Sequence, residues 1–182
     1  MLSNEFLQDF KHKTEARWRE RSIDPLVYGF QFQPGTLWNP GLTETDIGHY
    51  QAILGIRFPH DLTTLLRTLN GTDIPMLNVY GSCDEPHRTI FGVYSYPRDI
   101  EVVKEQIKDV RSLRTEITNE LADQGFGLPA EADLMPIYFH RYVLCSSNLN
   151  ESVVLSINGA DAVVYADCLE QFLVKEFLCQ PA

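Results

Sequence analysis

His140, Arg141 and Tyr142 stand next to one another between two apolar runs, and they are the side chains best suited to chemistry. At a turn, their side chains, an imidazole, a guanidinium and a phenol, could face one cleft. The guanidinium could then form a bidentate contact with a carboxylate or phosphate. The alternative is structural: Arg141 pairs with an internal acid such as Asp161, and Tyr142 packs in the core. Both interpretations require a hairpin whose turn lies at His140 and Arg141.

If the chain had a catalytic pair, the best candidates would be Cys145 as the nucleophile and His140 as its general base. A hairpin could bring them near each other, but strand alternation does not decide whether they share a face. Cys145 also lies in an apolar run, which would raise the pKa of its thiol. The chain contains no GxSxG, HExxH, Walker or dinucleotide-binding motif. We therefore expect neither catalysis nor a bound cofactor.

Residues 81–88 contain three possible metal ligands, Asp84, Glu85 and His87. Their spacing matches no established ligand pattern, and Pro86 indicates an exposed turn, so we predict no metal site. The four cysteines show no CxxC spacing, which argues against a zinc knuckle and a disulfide framework. They are Cys83, Cys145, Cys168 and Cys179. We expect reduced thiols in or near the core.

Four short apolar segments in the C-terminal half are typical of antiparallel strands. They are residues 135–139, 142–145, 152–157 and 162–166. The connections between the first two and between the last two are short enough for hairpins, and Asn158-Gly159 is a common turn signal. Asp167 predicts the N-cap of a closing helix over residues 168–178.

Residues 41–71 carry dense helix signals. Thr43 with Asp46 predicts a capped helix start, and Gly55 predicts its end. Pro59 opens a second helix, which Asn70-Gly71 closes. Apolar residues fall at helical spacing in both segments, namely Ile47, Tyr50 and Leu54 in the first and Leu62, Leu65, Leu66 and Leu69 in the second.

The other segments complete the framework. Ser3 predicts the cap of a helix over residues 3–21, and residues 26–32 predict a short strand or an extended edge segment. Trp38 is either a lid on the core or a surface on which a ligand stacks. Periodic apolar residues over 97–125 predict one long helix, with Arg114 interrupting the stripe.

Together these elements predict an α+β fold with one domain: a mixed, mainly antiparallel sheet packed by an N-terminal helical hairpin, one long central helix and a C-terminal helix. The chain has 182 residues, enough for a core without disulfides. Fifteen basic and twenty-five acidic residues give a net charge of −10, which disfavours nucleic-acid binding and suits a partner with a basic surface. No run approaches the ~18 apolar residues of a membrane span, and residues 1–20 lack a secretory signal, so we expect a cytoplasmic protein.

The helix pair also carries a family resemblance. Leu54-Gly55-Ile56, Phe58-Pro59, Leu65-Leu66 and Asn70-Gly71, in this order after an acidic helix start, resemble the signature of the SUKH superfamily. The C-terminal half adds MPIYFHRYVL (135–144), SVVLSI with the loop residue Asp161, and Tyr165-Ala166-Asp167 followed by LEQFLVKEF. The resemblance covers residues 41–178, but 72–133 match only loosely and the extension 1–35 hardly at all.

That superfamily includes yeast regulators of cell-wall assembly and many bacterial immunity proteins. The resemblance therefore implies a non-catalytic binding protein, foremost an immunity protein that neutralises a cognate toxin, often a nuclease. Two other functions remain open: a regulatory scaffold in cell-wall assembly, or a small-ligand-binding protein that uses His140 and Arg141. Partner contacts are expected at the cleft near His140 or in the weakly matching segments. The sequence does not indicate the oligomeric state.

Overall fold

A computed structural model describes residues 1–80, 87–146 and 152–179 of the chain. Its helices are α1 (Asn4–Glu20), α2 (Glu44–Leu54), α3 (His60–Thr68), α4 (Ile100–Ser112), α5 (Arg114–Asp123) and α6 (Leu169–Leu173), the last continued by a π-helical segment (Val174–Leu178). Its strands are β1 (Gly29–Gln31), β2 (Met76–Tyr80), β3 (Thr89–Ile90), β4 (Asp133–Tyr138), β5 (Arg141–Cys145), β6 (Val154–Asn158) and β7 (Asp161–Ala166). None of the helices in these ranges is both long and apolar enough to span a membrane.

The strands form two antiparallel sheets, so the α+β class is confirmed. The small sheet has the order β1-β2-β3, and the large sheet is a meander in the order β4-β5-β6-β7. The single mixed sheet that we predicted is thus divided in two. β3 is only two residues long, and beyond it an isolated bridge between Val93 and Tyr138 links the chain to β4.

Helices cover both faces of the large sheet. Along β5, alternate side chains point to opposite faces, as strand geometry requires. Val143 and Cys145 belong to a core cluster shared with α1, α2, α3 and α6, whereas Tyr142 and Leu144 belong to a cluster shared with α5. α4 contacts β4 and contributes to both clusters. Neighbouring residues of β5 therefore lie in different environments.

The local signals of the helix pair produce the predicted elements. Thr43 Oγ1 accepts the backbone N–H of Asp46 at 3.2 Å, and the Asp46 carboxylate accepts the N–H of Thr43 at 3.1 Å. Gly55 ends α2 with φ of 66°, a left-handed conformation that a residue with a Cβ resists. Ser3 caps α1 as predicted, its hydroxyl oxygen accepting the N–H of Phe6 at 3.1 Å. The strand predicted over 26–32 is shorter than expected, since β1 begins at Gly29.

The prediction of one long helix over residues 97–125 is wrong. The segment forms two helices, because Leu113 leaves helical geometry (φ −101°, ψ 17°). α4 packs on β4 and α5 packs on β7, so the chain must change direction between them. The Arg114 guanidinium fixes the start of α5 by donating a hydrogen bond to the carbonyl of Pro129 at 2.6 Å.

The closing helix also differs from its prediction. Cys168, not Asp167, occupies the N-cap position of α6, and no side chain caps the helix there. The backbone N–H of Asp167 instead donates to Gln171 Oε1 at 3.1 Å. After five residues the helix widens to the π form, and Glu176 and Phe177 are both buried within it. This places a carboxylate against the large sheet.

Candidate functional site

The residues of the predicted cleft point in different directions. Arg141 opens β5 on the face of Val143, and Tyr142 lies on the opposite face. His140 belongs to the turn before β5, where it and Tyr142 line one groove. The common cleft predicted for the three side chains is therefore not formed, because a strand cannot place consecutive residues on one face.

Arg141 is the centre of a polar network on its own face. Its Nη1 donates to Ser156 Oγ at 2.8 Å, and its guanidinium carbon lies 4.0 Å from the centroid of the Tyr165 ring. Its Nε forms an ion pair with Glu176 at 3.5 Å, and the Tyr165 hydroxyl donates to the same carboxylate at 2.7 Å. Lys175 Nζ lies 3.9 Å from the centroid of the Tyr165 ring.

Arg141 thus pairs with an internal acid, as the structural interpretation predicted, but the acid is not Asp161. Asp161 is exposed at the turn between β6 and β7, where it pairs in register with Asn158. Glu176 is only 8% exposed and lies against Arg141 instead. The network joins β5 to the π-helical segment. The contacts of the Arg141 side chain itself lie within the protein.

Trp38 is a core residue. It is buried, its indole N–H donates to Thr14 Oγ1 at 2.8 Å, and its ring packs at 5.3 to 5.8 Å from those of Phe10, Trp18 and Phe177. Only 5% of the residue is exposed, so little of the indole is open to solvent. The interpretation of Trp38 as a lid on the core holds.

The possible catalytic pair is separated by the length of a strand. His140 precedes β5 and Cys145 ends it, a span of about 16 Å at the usual rise per residue. Burial raises the pKa of the Cys145 thiol, and the nearby Asp133 charge raises it further. This thiol is a packed apolar group rather than a nucleophile.

The structure describes some of the remaining cysteines and possible metal ligands and leaves others outside the described residues. Cys168 is half-buried and Cys179 is exposed, so the expected location in or near the core is wrong for Cys179. His87 is exposed, while Cys83, Asp84 and Glu85 lie outside the described residues. Within the described ranges, no group of three or more His, Cys, Asp or Glu residues is placed to hold a metal ion.

A groove lies between α4 and the hairpin turns of the large sheet, and we call it the α4 groove. The β4–β5 turn supplies His140, β5 supplies Tyr142, α4 supplies Gln106 and Asp109, and the β6–β7 hairpin supplies Asn158. Its volume is about 560 Å³, within the roughly 300 to 1,000 Å³ of typical ligand sites. Its walls are otherwise mainly apolar, which is also typical of such sites.

Three acceptors in the α4 groove lack a protein partner. Tyr142 is only 6% exposed, yet no described residue forms a hydrogen bond with its hydroxyl. The Gln106 side-chain oxygen is buried and has no hydrogen-bond partner in the described part of the chain. The Asp109 carboxylate forms no ion pair within residues 1–80, 87–146 and 152–179. Buried polar groups in native proteins usually have partners, so the Gln106 oxygen is an exception that needs an explanation, whereas the Asp109 side chain is exposed.

Ionisation in the α4 groove follows from burial. Burial raises the pKa of Tyr142 to about 12, with smaller contributions from Tyr94 and the negative charge of Asp109. Burial lowers the pKa of His140, and the neighbouring Arg141 charge lowers it further, while Glu176 opposes this effect. At neutral pH the phenol is therefore protonated and the imidazole is uncharged, so Asp109 supplies the charge that faces the groove.

Sequence reasoning missed an exposed apolar surface, which we call the Tyr28 patch. It consists of Leu26, Val27 and Tyr28, which precede the edge strand β1, and Tyr80, the last residue of the central strand β2. Leu26 is 83% exposed, Tyr28 68% and Tyr80 56%, and the two tyrosine rings meet edge to face at 6.4 Å. The sequence predicted that residues 26–28 belong to a short strand or an extended edge segment, whereas in the structure the strand begins at Gly29.

Two other candidate residues, Asp161 and Trp38, contribute to neither the patch nor the α4 groove. In comparisons with known proteins, no family model and no curated protein matches the chain.

Proposed function

We propose that this chain is a non-catalytic, cytoplasmic protein-binding domain of the SUKH kind, an immunity protein that neutralises a cognate bacterial toxin. The observation that carries the proposal is the Tyr28 patch on a chain with a net charge of −10. The family assignment rests on the sequence motifs of residues 41–71 and 135–178.

The composition of the patch supports protein binding. Tyrosines are enriched among the residues that contribute most to protein interfaces, because a large rigid ring buries apolar area at little entropic cost. Tyr28 and Tyr80 are packed against each other although both are exposed, so their orientation is partly fixed before a partner arrives. Contiguous exposed apolar groups of this kind mark interaction sites on soluble proteins.

The charge supports a basic partner. An acidic protein attracts a basic one over several ångströms, which raises the association rate and disfavours acidic competitors. A nuclease must itself present a basic surface to hold the phosphate backbone. Binding of an acidic domain over that surface would block substrate access sterically and electrostatically, without any catalytic step.

The test is co-expression with the toxin encoded beside its gene. We expect the chain to restore growth and to co-purify with the toxin domain. Replacing Tyr28 and Tyr80 with serine should weaken toxin binding at least about 100-fold, since two central aromatic contacts are lost. A matched control is Val163→Ser on β7, which removes an exposed apolar side chain outside the patch.

Recovery of several housekeeping proteins and no toxin would contradict the proposal and favour a regulatory scaffold. Unchanged toxin affinity in the Tyr28→Ser, Tyr80→Ser double variant would remove the patch from the interface. Circular dichroism and thermal unfolding establish that the variant is folded, which we expect because both side chains are largely exposed.

A further inference from the structure

We propose that the α4 groove is a binding site for a guanidinium or ammonium group, supplied by an arginine or lysine side chain of the protein partner. This inference rests on the proposed function and specifies one contact within it. Three features support it: the unpartnered acceptors, the absence of competing positive charge, and the position of the groove relative to the Tyr28 patch.

The acceptors define the chemistry of the ligand. Gln106 Oε1 is buried without a donor, and its amide nitrogen is already used by Tyr94, whose hydroxyl accepts it at 2.5 Å. Tyr142 offers a phenolic oxygen, and Asp109 offers an unpaired carboxylate. The chemistry complementary to such acceptors is a group that only donates hydrogen bonds and carries positive charge, and guanidinium and ammonium are the side-chain groups with that property.

The surroundings favour a cation over an anion. Among the described residues, no lysine or arginine lines the groove, and Arg141 is held on the other face of β5 by Ser156 and Glu176. His140 is uncharged at neutral pH, because burial and Arg141 lower its pKa. A phosphate or carboxylate would meet Asp109 with no compensating charge.

The apolar walls fit the stem of a long cationic side chain. Leu113, Phe139 and Ile157 line the groove between its polar atoms. Lysine and arginine bury their methylene groups against such surfaces while the charged end contacts polar groups. The aromatic ring of Phe139 can add a cation–π contribution.

The groove and the Tyr28 patch lie along the same small sheet. Ile90 of β3 lines the groove and pairs with Met76 of β2, and β2 ends at Tyr80 in the patch. Four residues of strand span about 13 Å. A standard interface buries about 800 Å² on each partner, roughly 30 Å across, so one partner can cover both.

The test is an NMR titration of the isolated chain with N-acetyl-arginine amide and N-acetyl-lysine amide, with N-acetyl-norleucine amide as the neutral control. We expect saturable shifts of the Gln106 side-chain amide at millimolar concentration with the cationic compounds only. Asp109→Asn should weaken this binding about tenfold, because it removes the charge. Glu105→Gln makes the same change of charge on α4 outside the groove and should leave binding unchanged.

Three outcomes would overturn the inference: no saturable shift, equal shifts with the norleucine compound, or equal weakening by Asp109→Asn and Glu105→Gln. Micromolar affinity for a free amino-acid amide would indicate that the groove binds a small ligand, and would contradict the proposal that a partner's side chain supplies the cation. The titration needs no toxin, so its failure leaves the co-expression result standing. Conversely, cation binding without toxin neutralisation would refute the proposed function alone.

Discussion

Arg141 and Tyr142 are consecutive residues of one strand, and they show how differently two faces of a sheet can use polar side chains. On the Arg141 face, the guanidinium contacts a hydroxyl, an aromatic ring and the Glu176 carboxylate, so the two charges are paired, although the buried Nε forms no hydrogen bond with any described residue. On the Tyr142 face, the Gln106 oxygen is buried, and neither it nor the Tyr142 hydroxyl has a hydrogen-bond partner among the described residues.

The two faces therefore differ in kind: polar side chains on the Arg141 face are paired within the fold, whereas those on the Tyr142 face are, in our proposal, paired with a ligand. A buried ion pair whose partners come from distant elements fixes how those elements pack, and breaking it leaves a buried charge. Acceptors that have no protein partner in the folded state lose no hydrogen bond when they are removed, so they contribute little to folding. Substitutions on the Arg141 face should therefore alter stability, and those on the Tyr142 face should alter binding.

The largest expected effect is from Arg141→Met. This change leaves the buried Glu176 carboxylate without the guanidinium, so we expect a loss of about 3 kcal/mol in the free energy of unfolding. Urea denaturation measures it. The double variant Arg141→Met, Glu176→Gln should lose less than the sum of its single variants, because the stranded charge is removed as well.

Arg111→Met is the matched control for this effect. Arg111 also pairs with an acid across elements, Asp133, at 2.8 Å, but both side chains are considerably exposed. An exposed pair contributes about 0 to 1 kcal/mol. Equal losses in the Arg111 and Arg141 variants would show that the Arg141 network has no special structural role.

Signals confined to a few residues allowed accurate prediction. The capping box of Thr43 and Asp46 and the glycine end at Gly55 depend on neighbours within one or two turns, and the structure contains both. The four strands of the C-terminal meander followed from apolar runs and short turns for the same reason.

Contacts between distant segments were not accessible in this way. Alternation along β5 does indicate that Arg141 and Tyr142 point apart, but the choice of Glu176 over Asp161 depends on how the π-helical segment lies on the sheet. The break at Leu113 depends on the different strands that α4 and α5 contact. The α4 groove joins a helix to two hairpins, so no single stretch of sequence encodes it.

Two tyrosine-to-phenylalanine substitutions compare the faces directly. Tyr165→Phe removes the hydrogen bond to the buried Glu176 carboxylate and should lower the free energy of unfolding by about 2 kcal/mol. Tyr142→Phe keeps the ring in the core and removes a hydroxyl that no described residue contacts, so its effect should be under about 0.5 kcal/mol. Urea denaturation of both variants gives the contrast, and similar losses would contradict it.

The smallest expected effect is the pH dependence that His140 adds below pH 6.5. Its pKa in the folded protein lies below the ordinary value of 6.5, because burial and the Arg141 charge disfavour the imidazolium. The unfolded chain therefore binds a proton more readily than the folded one. The contribution of His140 to stability is complete above pH 6.5 and is lost as the pH falls through the folded-state pKa. Unfolding free energies measured across this range should decrease less steeply in His140→Gln than in the parent chain, with His12→Gln on the exposed side of α1 as control. The same pH range also tests the binding proposal. A protonated imidazole should repel the bound cation, so binding of N-acetyl-arginine amide should weaken over this range in the parent chain but not in His140→Gln. This result would link the Tyr142 face to binding by a second, independent measurement.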